Sequence, residues 1–377
     1  MPIQRIALGT RKGLLIGSVA NGTLEVEYES FLGTHVSYVF LDSRSGHLFA
    51  CLDDGHFGNK LFRWDDFGSV TDLKSADPKS VWTELAPPAY PENEKLPKGG
   101  DAVLKYQWAF AAGSNEQPGR IYLGTEPGGR FVSDDHGDHF ELCRSLWDHP
   151  SRLDSEIPWM GGGRDQAAIH SICVDPRNAD HIRVGVSVAG VFETTDGMES
   201  WAPRNKGCRA DFLPTPDAEI GQDPHLLVQS SQDPDVFWQQ NHCGVYVSDD
   251  ACANWIDVSE ENETDGRVHF GFAVEVDQSD SKVAWVVPAV SDMVRVAIDR
   301  KLVVCRTDDG GKTWQKFRKG LPQGNCYDFA FRHALKSSDD DVIFGTSGGG
   351  LFLSHDRGES WERHADFLPP IYYVALI

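Results

Sequence analysis

The chain of 377 residues lacks any hydrophobic run long enough to span a bilayer. Its N-terminal stretch has no signal-peptide core, because Arg11 and Lys12 interrupt the apolar residues. None of its eight cysteines belongs to a CxxC pair. Several, such as Cys173 and Cys305, stand inside strand-like apolar runs, a pattern typical of buried free thiols in a reducing compartment. We therefore expect a cytoplasmic protein.

Positive charge is also scarce, since 35 Lys and Arg stand against 57 Asp and Glu, a net charge of −22. Such a field repels nucleic acid and anionic membranes, so neither is an expected partner. Helical periodicity of useful length is missing as well. The 37 Gly and 20 Pro are spread along the chain, which is typical of many short strands joined by turns.

Five segments repeat one short pattern, Ser/Thr-x-Asp-x-Gly-x-x-aromatic. They are SDDHGDHF at Ser133, TTDGMESW at Thr194, SDDACANW at Ser248, TDDGGKTW at Thr307 and SHDRGESW at Ser354. Consecutive copies start 47 to 61 residues apart, which is the spacing of four-stranded propeller blades. Three apolar strands precede each copy and a short strand follows it, so each repeat is predicted to form one blade. The last of these repeats takes its first strand from YDFAFR at 327–332.

Two further blades complete the count. Residues 35–66 contain three strands without a clean box, and the N-terminal strands lack a first strand that residues 371–377 can supply. Pairing of residues 371–377 with residues 3–10 would remove two exposed edges. The sequence thus predicts an all-β fold, a seven-bladed β-propeller of four-stranded antiparallel blades, forming a single domain over residues 1–377.

The repeated pattern has a local physical role. An Asp side chain can accept hydrogen bonds from backbone N–H groups of its own turn, and Gly allows positive φ there. We expect this for Asp135, Asp309 and Asp356, with Trp314 and Trp361 largely buried. Met198 and Cys252 replace the glycine in two copies, which predicts reshaped or degenerate turns there.

These repeats resemble the Asp boxes of the sialidase-like superfamily. The matching stretches, such as LGTRKGLLIGS, YLGTEPGGRFVSDDHG, WQQNHCGVYVSDD and CRTDDGGKTW, resemble more closely a set of bacterial BNR-repeat proteins described as glycosyl hydrolase-like or exo-sialidase-like. The resemblance covers nearly the whole chain and implies the propeller fold. True sialidases share an Arg-Ile-Pro motif, whereas residues 4–7 here read Gln-Arg-Ile-Ala. Sialidase activity itself is therefore not expected.

Strand direction alternates within a blade, so the loops between blades and the turns between second and third strands reach one rim. Polar residues crowd these connections. Those expected to bind a ligand are His170, His225, His242, Arg295, Arg11 and Arg130, and long connections add Asp223 and Arg209. Glu126 and Asp292 are the expected catalytic pair, a general acid with a base or nucleophile, as glycoside hydrolysis needs.

Two functions remain open from the sequence. One is a glycoside hydrolase or lyase acting on a small polar or carbohydrate-like ligand at the channel mouth. The other is a non-catalytic binding or assembly scaffold. No cofactor is expected, with one alternative: neutral imidazoles of His170, His225 and His242 could hold a divalent metal such as zinc.

Overall fold

The computed structural model describes residues 5–20, 22–153, 159–161, 165–260, 267–365 and 367–377. Its strands form seven four-stranded antiparallel sheets. This is a seven-bladed β-propeller, as the repeats predicted, with few helical segments.

The contacts between Cα atoms divide the chain into two compact units. The first comprises residues 1–36, 206–211 and 225–377. Its four blades, in strand order, are β28 (Ile371–Leu376), β1 (Ile6–Thr10), β2 (Gly13–Ala20) and β3 (Thr23–Ser30); β16 (Pro224–Gln229), β17 (Phe237–Asn241), β18 (Gly244–Ser248) and β19 (Ile256–Asp257); β20 (Gly271–Val276), β21 (Ala284–Pro288), β22 (Val304–Thr307) and β23 (Gln315–Phe317); β24 (Leu335–Ser338), β25 (Asp341–Gly345), β26 (Leu351–Ser354) and β27 (Glu362–Ala365).

The second unit comprises residues 37–205 and 212–224. Its three blades are β4 (His35–Asp42), β5 (His47–Asp54), β6 (Gly58–Trp64) and β7 (Thr83–Leu85); β8 (Tyr106–Ala112), β9 (Ile121–Glu126), β10 (Arg130–Ser133) and β11 (Glu141–Leu142); β12 (Ile169–Val174), β13 (Ile182–Val186), β14 (Gly190–Thr194) and β15 (Ala202–Pro203). Two four-residue helices, α1 (Arg144–Trp147) and α2 (Pro150–Leu153), follow β11. The boundaries between the units fall inside β4 and β16, so these strands are continuous across the division.

The second strands of the blades carry most of the core. Strands β9, β13, β17, β21 and β25 are buried at every position. Both of their faces are covered, and β13 and β21 have the largely apolar sequences expected of such strands, whereas β17 buries Gln239, Gln240 and Asn241. The fourth strands β11 and β19 are two residues long and mostly exposed, as expected for blade edges.

The chain termini close the ring through one blade. Strand β28 pairs with β1 antiparallel, with Leu8 opposite Val374, as predicted. Both side chains are fully buried in one apolar cluster with Ile371.

One predicted strand is wrong. The first strand of the last blade is β24, and the YDFAFR run at 327–332 is irregular chain. The aromatic residues of this run have a different structural role from that of strand residues. Phe329 packs on Phe272 with ring centroids 5.4 Å apart, and Phe331 stacks on Tyr372 at 4.2 Å. Packing of single rings, rather than strand burial, explains this run.

The five repeated turns share one hydrogen-bonding pattern. In the fourth copy, Thr307 Oγ1 accepts from Gly311 N at 2.8 Å and Asp309 Oδ1 accepts from Thr313 N at 2.9 Å. Equivalent bonds from backbone N–H groups reach Asp135, Asp196, Asp250 and Asp356 at 2.8 to 3.0 Å. The expectation for the aspartates is thus confirmed.

The expectation of reshaped turns is wrong. Met198 and Cys252 adopt φ of 80° and 70°, close to the 85° of Gly311. Both residues keep the bond from their N–H to the hydroxyl four residues earlier, at 3.0 and 2.9 Å. The hydrogen bonds therefore hold the turn even where the residue type disfavours positive φ.

The turn aromatics differ in burial. Trp361 is buried, as expected, whereas Trp314 is partly exposed. Its indole Nε1 donates to Val258 O at 2.7 Å, which fixes the ring without covering it fully.

All eight cysteines are free thiols, six of them buried. Among the described residues, no helix combines the length and the apolarity that crossing a bilayer would demand.

Candidate functional site

His225 anchors the group of rim residues with the best-defined geometry. It is the second residue of β16 and is 5% exposed. Its Nδ1 lies 2.6 Å from the carbonyl oxygen of Gly271, the first residue of β20. A carbonyl can only accept, so Nδ1 carries the hydrogen, and Nε2 is the nitrogen that a neutral ring would offer to a metal.

His242 lies in the tight turn between β17 and β18 and is partly exposed. Its ring stands 5.6 Å from that of His225, in an edge-on arrangement. The buried Gln240 fixes this turn, because its Nε2 donates to Gly244 O at 3.2 Å and to His269 O at 2.8 Å. One amide therefore ties the His242 turn to the chain that leads into β20.

Asp223 brings a carboxylate to the same place. It precedes His225 by two residues in the segment that enters β16, so local chain geometry sets their spacing. Its side chain is 3% exposed and Oδ1 accepts from Val188 N at 3.0 Å. Asp223, His225 and His242 each offer one ligand atom, and these atoms all lie within 4.8 Å of one another. Two imidazoles and a carboxylate are a donor set suited to a divalent metal.

Aromatic rings surround the two histidines. The His225 ring stacks on Phe272 at 4.9 Å and meets Phe270 edge-on at 5.3 Å, and His242 meets Phe270 at 5.6 Å. The guanidinium of the exposed Arg295 lies 5.3 Å from the Phe272 ring. Its Nε donates to the carbonyl oxygen of Asp292 at 2.9 Å. The result is an apolar wall with imidazole and guanidinium groups at its edge.

Glu126 is the last residue of β9, in the second unit. The side chain is 2% exposed. Its Oε2 is 3.4 Å from Trp108 Nε1, and Oε1 accepts from Gln166 N, also at 3.4 Å. Asp292, its expected partner in catalysis, lies partly exposed in the loop after β21.

Sequence reasoning missed two residues near Glu126. Arg152 is 5% exposed, lies 3.4 Å from the Trp147 ring and donates from Nη1 to Gly128 O at 2.9 Å. Burial lowers the pKa of its guanidinium to about 10. Burial raises the pKa of the Tyr90 hydroxyl, which bonds Thr125 Oγ1 at 2.7 Å. Neither belongs to a repeated pattern, so no sequence signal marked them.

The remaining predicted residues have other surroundings. His170 is fully buried on β12, with Nδ1 2.9 Å from Ser171 Oγ, and is not part of the Asp223 group. Arg130 is 1% exposed, 4.2 Å from the Tyr122 ring and 5.4 Å from the Trp201 ring. Burial lowers the pKa of its guanidinium. Arg11 is exposed in the turn between β1 and β2.

A groove of about 600 Å³ lies elsewhere, lined by residues 112–117 and 174–180. These are the turns between first and second strands, which alternate with the rim turns of the same blades. Its buried Asp175 already pairs with Arg177 at 2.7 Å, and that pairing together with Arg183 holds the pKa of Asp175 below its usual range despite burial. None of the predicted site residues lines this groove.

No family model matches the chain, and no curated protein matches it either. Solved structures do. An ancestral GH74 enzyme aligns with a TM-score of 0.55 and 15% identity over 87% of this chain. This chain spans 38% of that enzyme's length.

The second kind of similar structure is YCF48. YCF48 bound to D1 peptide aligns with a TM-score of 0.52 and 12% identity, covering 98% of this chain and 88% of that one. YCF48 from Cyanidioschyzon merolae gives 0.54 and 12%, covering 94% and 97%. At these identities the likeness extends to the fold alone.

Proposed function

We propose that this protein binds a small polar or sugar-like ligand at its channel mouth and hydrolyses it, with blades β16–β19 and β20–β23 supplying the aromatic wall of the site. The observation that carries the proposal is the convergence of His225, His242 and Arg295 on the wall made by Phe270 and Phe272. Apolar and aromatic walls with a few placed polar groups are the usual make-up of small-ligand sites. The ring faces would pack on a ligand's C–H groups while the imidazoles and guanidinium bond its oxygens.

We also assign the chain to the sialidase-like Asp-box group of BNR-repeat proteins. The support is the turn geometry, which recurs five times with the same hydroxyl and carboxylate acceptors. The boxes are structural, and one fold hosts many functions, so the reaction must be argued from the site.

For the reaction, Glu126 takes the role of general acid and Asp292 that of base or nucleophile. Hydrolysis breaks the bond between the anomeric carbon and the leaving oxygen, which receives the proton of the acid, while water adds its hydroxyl to the carbon and gives its other proton to the carboxylate that acts as base. The support is that Glu126 is a buried carboxyl oriented by N–H groups at a rim turn. The other residues proposed to bind the ligand are Arg295, His170, Arg11 and Arg130.

The scaffold function is the alternative, and one observation favours it. The loop after β21 exposes Val290, Met293 and Val294, and Met293 is 86% exposed. Adjacent exposed apolar side chains are typical of protein-binding surfaces. YCF48, which has the same fold, is a protein with a D1 peptide bound.

A panel of 4-methylumbelliferyl glycosides, including glucoside, cellobioside and sialoside, tests the hydrolase directly. We expect fluorescence release from at least one neutral glycoside, with none from the sialoside. Glu126→Gln and Asp292→Asn should each abolish release, while Glu116→Gln, at an exposed carboxylate, should leave it unchanged. Absence of release by the wild-type protein, or release by both variants at the wild-type rate, would leave the scaffold function.

A further inference from the structure

The group of Asp223, His225 and His242 has the composition of a three-ligand metal site. Catalytic zinc sites use three protein ligands, among them two histidines with one carboxylate, and keep one position for water. The same set serves other first-row ions such as iron(II). Magnesium and calcium prefer all-oxygen shells, so the two imidazoles select against them.

His225 is already oriented as a ligand. The bond from its Nδ1 to Gly271 O fixes the tautomer that offers Nε2 to a metal. Metal-bound histidines almost always make such a second bond to a carbonyl or carboxylate, because it fixes the ring and raises its basicity. Stacking on Phe272 restricts the ring further.

Asp223 has the corresponding support. Val188 N donates to Oδ1, which fixes the position of the carboxylate. The side chain is buried, so the carboxylate is held away from bulk water. Its attraction for a cation is stronger in this low-dielectric surrounding than it would be in water.

His242 is the residue of the group through which an ion can reach the site from solvent. It is the only partly exposed member among the three, so an ion can enter from its side. In a tetrahedral site with bonds of about 2 Å, the ligand atoms stand about 3.4 Å apart. In this structure the ligand atoms of the three residues lie within 4.8 Å of one another. Metal binding would therefore draw the three ligand atoms closer together.

We infer that Asp223, His225 and His242 bind one divalent transition-metal ion, zinc or its close relatives, with an open position facing solvent. This inference goes beyond the proposed hydrolase and does not depend on it. A metal here would position or polarise a bound oxygen ligand whether or not the protein cleaves it.

The test measures metal content rather than activity. Protein without a polyhistidine tag is stripped with EDTA, dialysed against Zn²⁺ and analysed by mass spectrometry for bound zinc. We expect about one zinc per chain. His242→Ala and Asp223→Asn should lower the affinity by more than about tenfold.

The matched control is His56→Ala, an exposed histidine in the equivalent turn between β5 and β6, which should bind zinc like the wild type. Circular dichroism verifies that each variant is folded, and Asp223→Asn preserves an oxygen for Val188 N. Co²⁺ is the second probe, because nitrogen and oxygen ligands give visible bands without the thiolate charge-transfer band that cysteine would add. Wild-type protein without stoichiometric zinc, or equal affinity in all variants, would overturn the inference.

Discussion

The imidazole of His225 donates from Nδ1 to the carbonyl oxygen of Gly271, 2.6 Å away, and so joins the first strand of one blade to the first strand of the next. A Cβ at Gly271 would stand 3.0 Å from Val287 O and 3.1 Å from Gln240 Oε1, so a larger residue there would press on the Gln240 amide that holds the His242 turn. This contact between blades thus also fixes Nδ1 as the nitrogen of the His225 ring that carries the hydrogen.

Gln240→Leu should weaken zinc binding by about 10- to 100-fold without unfolding the protein, because it removes the donors that fix the His242 turn. Calorimetric titration with Zn²⁺ measures this. The control is Gln229→Leu on the same blade, whose amide donates to Pro234 O at 2.8 Å far from the histidines. Equal losses in the two variants would mean that general destabilisation, and not positioning, is responsible.

Thr307→Val should destabilise the protein by about 1–3 kcal/mol, because it leaves the buried N–H of Gly311 without its acceptor. Asp309→Ala should cost less, since the N–H of Thr313 that it serves is exposed to water. Urea unfolding of both variants, with the exposed Asp217→Ala as control, gives the order. A larger effect at Asp309 would show that the carboxylate, not the hydroxyl, holds the turn.

Stability should fall as the pH drops from about 4 towards 2. Hydrogen bonds from Ser200 lower the pKa of Asp196 to about 2. Burial acts against the same shift in Asp135, but bonds from His139 outweigh it and the pKa is again about 2. Unfolded aspartate titrates near 3.9, so the folded state binds fewer protons, and its advantage is present above that pH and lost through the folded pKa.

Melting temperatures across pH 2 to 6 check this expectation. Asp196→Asn should show a smaller drop than the wild type over the same range, because one of the shifted groups is gone. A melting temperature that stays constant down to pH 2 would contradict the assigned role of the turn carboxylates.

Most of the fold was predictable because the repeats encode it. Five turns with fixed spacing locate five blades, and spare strands at both ends require pairing, which β28 and β1 confirm. The misassigned run at 327–332 shows the limit. An apolar pattern predicts that Phe329 and Phe331 pack against other residues, but it cannot distinguish a strand from rings packed one by one on Phe272 and Tyr372.

The site was predictable only in part. Alternating strand direction brings His225 and His242 together, since both belong to one blade. The carboxylate beside them comes from Asp223, which the sequence indicates only as part of a long connection. Arg130 occupies a rim turn in sequence, yet its long side chain reaches between Tyr122 and Trp201. Side-chain direction depends on packing, which a motif does not specify.

Diffraction from zinc-soaked crystals, recorded on both sides of the zinc absorption edge, tests the central claim most directly. We expect one strong anomalous peak. It should lie within bonding distance, about 2.0–2.2 Å, of His225 Nε2, a His242 ring nitrogen and an Asp223 oxygen. Loss of that peak in His242→Ala crystals would show that the His242 imidazole is needed to hold the ion. Zinc found instead on cysteine sulfur, or on surface carboxylates while these three residues stay bare, would contradict it.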